Sequence, residues 1–333
     1  MNVHMNASAR SRVAMVLVQC MGASLLLACN RTSLREPALA VEPPRIPLPV
    51  PLDSLDVHGV QWSHDGRLLA FGATYNKQND VYTVRPDGSG LRRITDASSL
   101  NAGTLALLSW LPRDEGLLLL AHRDSSWQLY RIKPDGSGLS AFPRPATAIG
   151  SVEGALSPDG SRIVFVNEID RSHHQLFARN VDGTNVRQLT HSTGRVWSDR
   201  NPAWSPDGRF ITFDSIRDTT GAGEMYRINA DGTGERRLTT SSPVNNAGSH
   251  WSPDGRHLLW GQVANRRGFL VESDPDGGNF RKIADDLLSG TYSPDGKRIA
   301  ASGRADDPRH WFVVVIRADG TDKRRLVLRP GSE

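Results

Sequence analysis

At 333 residues, 38% hydrophobic and 23% charged, the chain has ordinary globular composition and enough length for a sizeable core in one or two domains. Its 40 Lys and Arg against 36 Asp and Glu leave a net charge of +4, scattered along the chain. No basic run marks a nucleic-acid footprint, and no nucleic-acid partner is expected.

In chain order, Arg10 and Arg12 close a polar, basic stretch, and Val13 to Leu27 is largely apolar. An apolar run of about fifteen residues is shorter than the roughly 20 that span a bilayer, so residues 1–28 are expected to be an export signal. Leu26-Leu27-Ala28-Cys29 follows. This resembles the lipobox of bacterial lipoproteins, which implies cleavage before Cys29 and lipidation of that residue, with the membrane as a partner through the anchor. Asn30 stands where an aspartate often retains lipoproteins at the inner membrane. The resemblance therefore implies the periplasmic face of the outer membrane. Only Cys20 and Cys29 carry thiols, so the chain beyond has no disulfide and no cysteine metal site. Residues 29–52 hold six prolines between Pro37 and Pro51, which favours extended polyproline geometry and a semi-rigid tether.

From residue 53 to 333 short runs rich in Val, Ile, Leu, Phe and Tyr alternate with Gly, Pro and Asp clusters, predicting strands and turns. Trp204-Ser-Pro-Asp-Gly208 recurs as Trp62-Ser-His-Asp-Gly66, Leu156-Ser-Pro-Asp-Gly160, Trp251-Ser-Pro-Asp-Gly255 and Tyr292-Ser-Pro-Asp-Gly296, with a worn copy at Trp110 to Gly116. Proline presets φ near −65°, aspartate suits the next turn position, and glycine supplies positive φ. A second Asp-Gly hairpin recurs in phase at Asp87, Asp135, Asp182, Asp231, Asp276 and Asp319. Repeats of roughly 45 residues with four strands each are the pattern of propeller blades. The expected fold is all-β: a six-bladed β-propeller of four-stranded antiparallel blades.

These residues together resemble the WD40-like repeats of the TolB family, over about 53–328. The resemblance implies a six-bladed propeller in the cell envelope. TolB itself carries a mixed α/β domain ahead of its propeller, whereas about two dozen linker residues precede the first repeat here. The fold and location are carried over, without any partner-binding residue.

Related propellers gate prolyl-oligopeptidase-type and tricorn-type peptidases, yet no G-x-S-x-G, H-E-x-x-H or P-loop sequence occurs in this chain. No catalytic residue, resident metal or cofactor is assigned. Asp274-Pro-Asp276-Gly277-Gly278-Asn279 superficially resembles a calcium loop but occupies the repeated hairpin register, and His173-His174 reads as a structural or solvated pair. Candidate binding residues lie on the innermost strand of each unit, just ahead of its aromatic residue, where strands converge on one channel. They are His58, Gln61, Glu153, Asp199, Arg200, Asn201, Asn245, Asn246 and His250, with Ser289 and Thr291. A channel with convergent polar groups is the default binding site. The reading is a monomeric, non-enzymatic envelope lipoprotein that binds a protein or cell-wall component. The alternatives are a metal-dependent hydrolase or lactonase working in the channel, and a glycan-binding module.

Overall fold

Strand-forming runs punctuated by glycine-ended turns can bury their apolar faces only by stacking as sheets, and the computed structural model shows such a stack. It describes residues 46–48, 55–98, 100, 102–123, 126–141, 153–170, 173–193, 197–217, 222–240, 244–265, 267–304 and 310–331. The expected export signal, Cys29 and all of the expected tether except Ile46 to Leu48 lie outside them.

The first sheet comprises β1 (Asp56–Trp62), β2 (Leu69–Tyr75), β3 (Gln78–Val84) and β4 (Arg92–Arg93). The second comprises β5 (Thr104–Trp110), β6 (Leu117–Arg123), β7 (Ser126–Ile132) and β8 (Ser140–Ala141). Next come β9 (Gly154–Leu156), β10 (Arg162–Asp170), β11 (His173–Asn180) and β12 (Arg187–Gln188), then β13 (Trp197–Trp204), β14 (Phe210–Ile216), β15 (Glu224–Asn229) and β16 (Arg236–Arg237). Two further sheets hold β17 (Asn245–Trp251), β18 (Leu258–Ala264), β19 (Arg267–Ser273) and β20 (Arg281–Asp285), and β21 (Leu287–Tyr292), β22 (Arg298–Arg304), β23 (Trp311–Arg317) and β24 (Arg324–Arg325).

Within each group of four, successive strands pair antiparallel. The groups β9–β12 and β13–β16 are joined into one eight-stranded sheet, because β11 and β13 pair in parallel at His173↔Trp197 and His174↔Ser198. The histidine pair read as structural or solvated begins a strand: His173 Nδ1 meets the Asp170 carboxylate at 2.6 Å, and His174 Nδ1 lies 3.3 Å from Ser198 Oγ.

Turn chemistry follows the expectation and adds a buried hydroxyl. Ser205 Oγ, at 1% exposure, donates to Asp207 Oδ1 at 2.6 Å and accepts from the Phe210 N–H at 2.9 Å. Ser63, Ser157, Ser252 and Ser293 repeat this arrangement. Gly208 takes φ of 70°, which the turn requires. In the first unit His64 replaces proline and so exposes an extra N–H. The worn second turn supplies its acceptor, since Asp114 takes the N–H groups of His64 and Asp65 at 2.8 and 2.9 Å. Asp274 to Asn279 forms a hairpin turn in which the Gly278 N–H bonds Asp276 and the Asn279 amide bonds Asp274.

Two residues beyond three of the short outer strands a threonine has a matching role. Thr95, Thr190 and Thr239 each accept the N–H of Val81, Leu176 or Met225. Buried acids at the same edge pair with outer-strand arginines, as in Arg93 to Asp80 at 2.7 Å and Arg237 to Glu224 at 2.8 Å.

Seams between sheets hold the core. Each expected aromatic position packs there: Trp110 Nε1 donates to Gln61 O, Trp204 Nε1 to Ala155 O at 3.1 Å, and Trp251 Nε1 to Thr212 Oγ1 at 3.1 Å. The last sheet meets the first through an equivalent seam. Arg298 lies 4.9 Å over the Trp62 ring, as Arg162 lies 4.8 Å over Trp204, and Thr291 Oγ1 donates to Val60 O at 3.2 Å. Leu55, Val57 and Phe71 share one core cluster with Ala300, Val313 and Leu326. The strand at 56–62 is therefore an inner strand of the first sheet and adds nothing beside β24. Ile46 instead bridges to Arg93 at the outer edge of the first sheet.

Ser205→Ala leaves the Phe210 N–H unpaired and is expected to destabilise the chain by about 1–3 kcal/mol, read as a lower denaturant midpoint. An unchanged midpoint would contradict the role given to this hydroxyl. Hydrogen bonds from the Ser157 hydroxyl, the Ser161 N–H and the Ser161 hydroxyl hold Asp159 down at about 2, and the Ser205 hydroxyl likewise lowers Asp207. Folded pKa values below the unfolded one add stability above about pH 4 that disappears as pH falls toward 2. Acid titration of the melting temperature is expected to drop across that window.

Candidate functional site

Inner strands carry a shared irregularity. The pairing register shifts between His58 and Gln61, Leu107 and Ser109, Arg200 and Ala203, Ala247 and His250, and Leu287 and Ser289. Such bulges re-aim side chains. Gly59, Asn201 and Gly248 take φ of 61°, 48° and 66° at these points.

The inner strands surround a cavity of about 670 Å³. Its rim is built from the repeated turns: Pro112, Pro158, Pro206, Pro253, Pro294 and His64 line it, with Trp62, Trp110, Trp204, Trp251 and Tyr292 behind them. Among the expected residues Gln61, Glu153, Asn201, His250, Ser289 and Thr291 also line it. Among the described residues its wall contains no Lys or Arg and one carboxylate residue, Glu153.

Several wall groups are braced by neighbours. Asn201 links two carboxylates: its N–H donates to Glu153 Oε2 at 2.9 Å and its side-chain amide to Asp214 Oδ1 at 2.8 Å. Gly248 N–H adds a second donor to Asp214 at 3.1 Å. Gln61 Nε2 donates to Leu108 O at 3.0 Å, across the seam. Burial pushes Asp214 up to about 7; the Asn201 amide and the Gly248 N–H oppose that shift, and the Glu153 charge adds to it. Burial also pushes His250 down to about 4, so its imidazole is neutral at physiological pH.

Four expected residues do structural work elsewhere, and a fifth lies outside the cavity wall. Asp199 is fully buried and pairs with Arg217 at 3.0 Å, with Ser215 also donating to it. Arg200, next along the strand, is exposed and bonds Ser198 Oγ at 2.8 Å, so the two form no ion pair. Asn246 is buried and bonds the Gly223 carbonyl and the Trp260 indole, while Asn245 Oδ1 accepts the Gly223 N–H. His58 lies against the backbone at Gly72, where a Cβ would come within 2.3 Å of its ring. Desolvation there lowers its pKa, and Asp56 opposes the shift.

Asp214 escaped the sequence reading because it sits on β14, one strand out from the channel. A signal existed. Its repeat position holds Gly72, Leu120, Val166, Gly261 and Ser302 in the other units, and only here a charge. Among the described residues no group of three His, Cys, Asp or Glu is placed to hold a metal ion.

A closed stack of antiparallel sheets around an axial cavity is a β-propeller. Residues 148–333 match the TolB beta propeller domain model, and the chain belongs to that family. It is 26% identical over 201 residues to an uncharacterized protein of Agrobacterium fabrum, covering 57% of this chain and 63% of that one. It is 35% identical over 109 residues to the Tol-Pal system protein TolB of Alcanivorax borkumensis, covering 32% of this chain and 23% of that protein. In fold it resembles TolB from Acinetobacter baumannii, with TM-score 0.62, 16% identity, and 82% and 63% of the two chains covered. An oligogalacturonate lyase in complex with manganese superposes at TM-score 0.54 and 16% identity, covering 80% and 75%. The chain thus spans less than two thirds of the length of both sequence relatives.

Asp214→Asn tests the buried carboxyl. With a folded pKa above the unfolded one, Asp214 contributes stability that is complete below about pH 4 and is lost as pH rises through about 7. The variant is expected to be more stable than the parent at pH 8, on the order of 2–4 kcal/mol, and to match it near pH 4. Parallel pH profiles for the two would show that Asp214 titrates alike in the folded and unfolded chain.

Proposed function

We propose that this chain is an exported, lipid-anchored envelope protein whose six-bladed propeller binds an envelope protein or cell-wall component at its central cavity. The observation that carries this reading is the cavity itself, with a rim of proline and aromatic rings above polar groups already braced by one another. A wall organised before binding loses little freedom when a partner segment enters. Kinship with a Tol-Pal system protein supports an envelope location and a protein partner. Residues 1–28 direct export, and acylation of Cys29 anchors the chain through the proline-rich tether, since each buried CH₂ contributes about 0.8 kcal/mol.

Photocrosslinking in native envelopes tests the binding face. A crosslinker at Pro206 or Pro253, on the rim, is expected to capture a discrete partner that the same group at Val327, on the outer edge, does not. Equal capture from both positions would remove the cavity from the reading. Cys29→Ala is expected to shift the protein from the membrane to the soluble periplasmic fraction, with intact mass reporting the loss of the acyl chains.

A second reading, hydrolysis or elimination on a polar glycan, is favoured by one observation. Asp214 is held near neutrality beside Glu153, which suits proton transfer. Turnover of oligosaccharides that Glu153→Ala and Asp214→Asn abolish would establish it over display alone.

A further inference from the structure

Three places ahead of the residue that opens each repeated turn, every unit sets one residue on the wall of the central cavity: Gly59, Leu107, Glu153, Asn201, Gly248 and Ser289. Glu153 is the one charged member, with Leu107 from the unit before it and Asn201 from the unit after it. The chain has 40 Lys and Arg, yet among the described residues none reaches this wall. Arg200, the cation next to Asn201 in sequence, is exposed outside the wall and bonds Ser198 Oγ at 2.8 Å. Glu153 therefore sets the sign of the field in the cavity, and walls of low dielectric focus that field.

Donors on this wall already have acceptors within the protein. Asn201 gives its N–H to Glu153 and its side-chain amide to Asp214, which also takes the Gly248 N–H. Gln61 and Thr291 donate across the seams to the carbonyls of Leu108 and Val60. The acceptor side of the same wall is a carboxylate, an amide oxygen and the lone pair of His250, a neutral imidazole whose pKa desolvation alone shifts. The Asn201 N–H takes up one of the roughly four lone-pair positions of the Glu153 carboxylate. Toward the mouth the lining changes character. There the turn prolines stand before Trp62, Trp110, Trp204 and Trp251 in an apolar collar.

We propose that the cavity takes a lysine side chain of a protein partner, its ammonium on Glu153 and its methylene stem along the collar of proline and aromatic rings. An apolar collar over an acceptor-rich floor with one carboxylate is the complement of that side chain, which joins an apolar stem to a compact head with three N–H donors and no acceptor. Arginine fits less well. Its fork is strongest on two oxygens of one carboxylate, and Glu153 Oε2 already accepts the Asn201 N–H. A divalent ion would call for more oxygen ligands than one carboxylate residue supplies. The assignment rests on the reading of the cavity as a partner-binding site and adds the chemistry that the site selects.

Tryptophan fluorescence of the full mature chain, titrated with the N-acetyl methylamides of lysine, Nε-acetyl-lysine and norleucine, tests it. The lysine amide is expected to bind the parent about tenfold more tightly than the other two, and all three to bind Glu153→Gln within about twofold of one another. Glutamine keeps an acceptor for the Asn201 N–H and removes only the charge. Equal affinities in the parent, no binding of the lysine amide, or a lysine preference that survives in Glu153→Gln would overturn the proposal. Should that variant fail to fold, Leu107→Arg decides: it sets a cation beside Glu153, and an undiminished lysine preference in it would equally count against the site. Crosslinking from Pro206 separates this failure from that of the broader reading. Capture of one partner alike in parent and Glu153→Gln keeps the binding cavity and removes the lysine, whereas no rim-specific capture removes both.

Discussion

Each sheet in this protein is apolar on both faces, and a sheet of four strands with two apolar faces has no stable existence in water. Burial of such a face is favourable by roughly 25 cal/mol per Å², so every sheet requires a neighbour on each side. A row of them would leave two faces uncovered; a ring leaves none. The seam between last and first sheets therefore reuses the devices of the interior seams, an arginine over a tryptophan and mixed aliphatic packing drawn from both ends of the chain. Closure adds backbone hydrogen bonds to the side-chain packing, since the Leu91 N–H donates to the Arg329 carbonyl and the Arg329 N–H to the Gly88 carbonyl, both at 2.8 Å, with each group of four strands complete in sequence order.

The same constraint makes the cavity. Stacked faces force the inner strands to converge, and five of those strands share a register shift on the cavity side of the sheet. Turns inherit the geometry as well. The proline of one Ser-Pro-Asp-Gly turn faces the glycine of the next, as Pro158 does Gly208 and Pro294 does Gly66, so the rim is a course of interlocked turns. Where two copies have drifted, they have drifted together: His64 gains an N–H that proline lacks, and Asp114 in the worn neighbour accepts it. A polar group gained on one side of a seam had to be answered on the other.

Buried charge follows the same logic at the outer edge. Asp80, Glu224 and Glu272 lie inside the third strands and are answered by Arg93, Arg237 and Arg281 from the fourth. Those outer strands are short and basic, which suits exposed sheet edges that must not recruit further strands. Arg179 stands apart from this pattern because its guanidinium has no hydrogen-bond partner and Asp182 of its own repeat acts on it only through space.

Much of this was open to a reader of residues alone. Proline, aspartate and glycine constrain φ and ψ over two or three positions, so the turns, the strand order and the inward-facing aromatic positions could be named from local sequence. Gln61, Glu153, Asn201 and His250 were placed on the channel for the same reason. Asp199 and Asn246 were misplaced because the bulges at Arg200 to Ala203 and Ala247 to His250 interrupt the two-residue alternation, and Asn201 reaches positive φ without being glycine. Asp214 meets Asn201 from 13 residues away and Gly248 from 34. Local dihedral preference, acting over a few bonds, determined the turns and the family from sequence alone. Which polar groups meet at the axis, which carboxyl is forced toward neutrality and which arginine is left without a hydrogen-bond partner were decided only by the closing of the stack, because those energies depend on desolvation and on neighbours that the ring alone brings together.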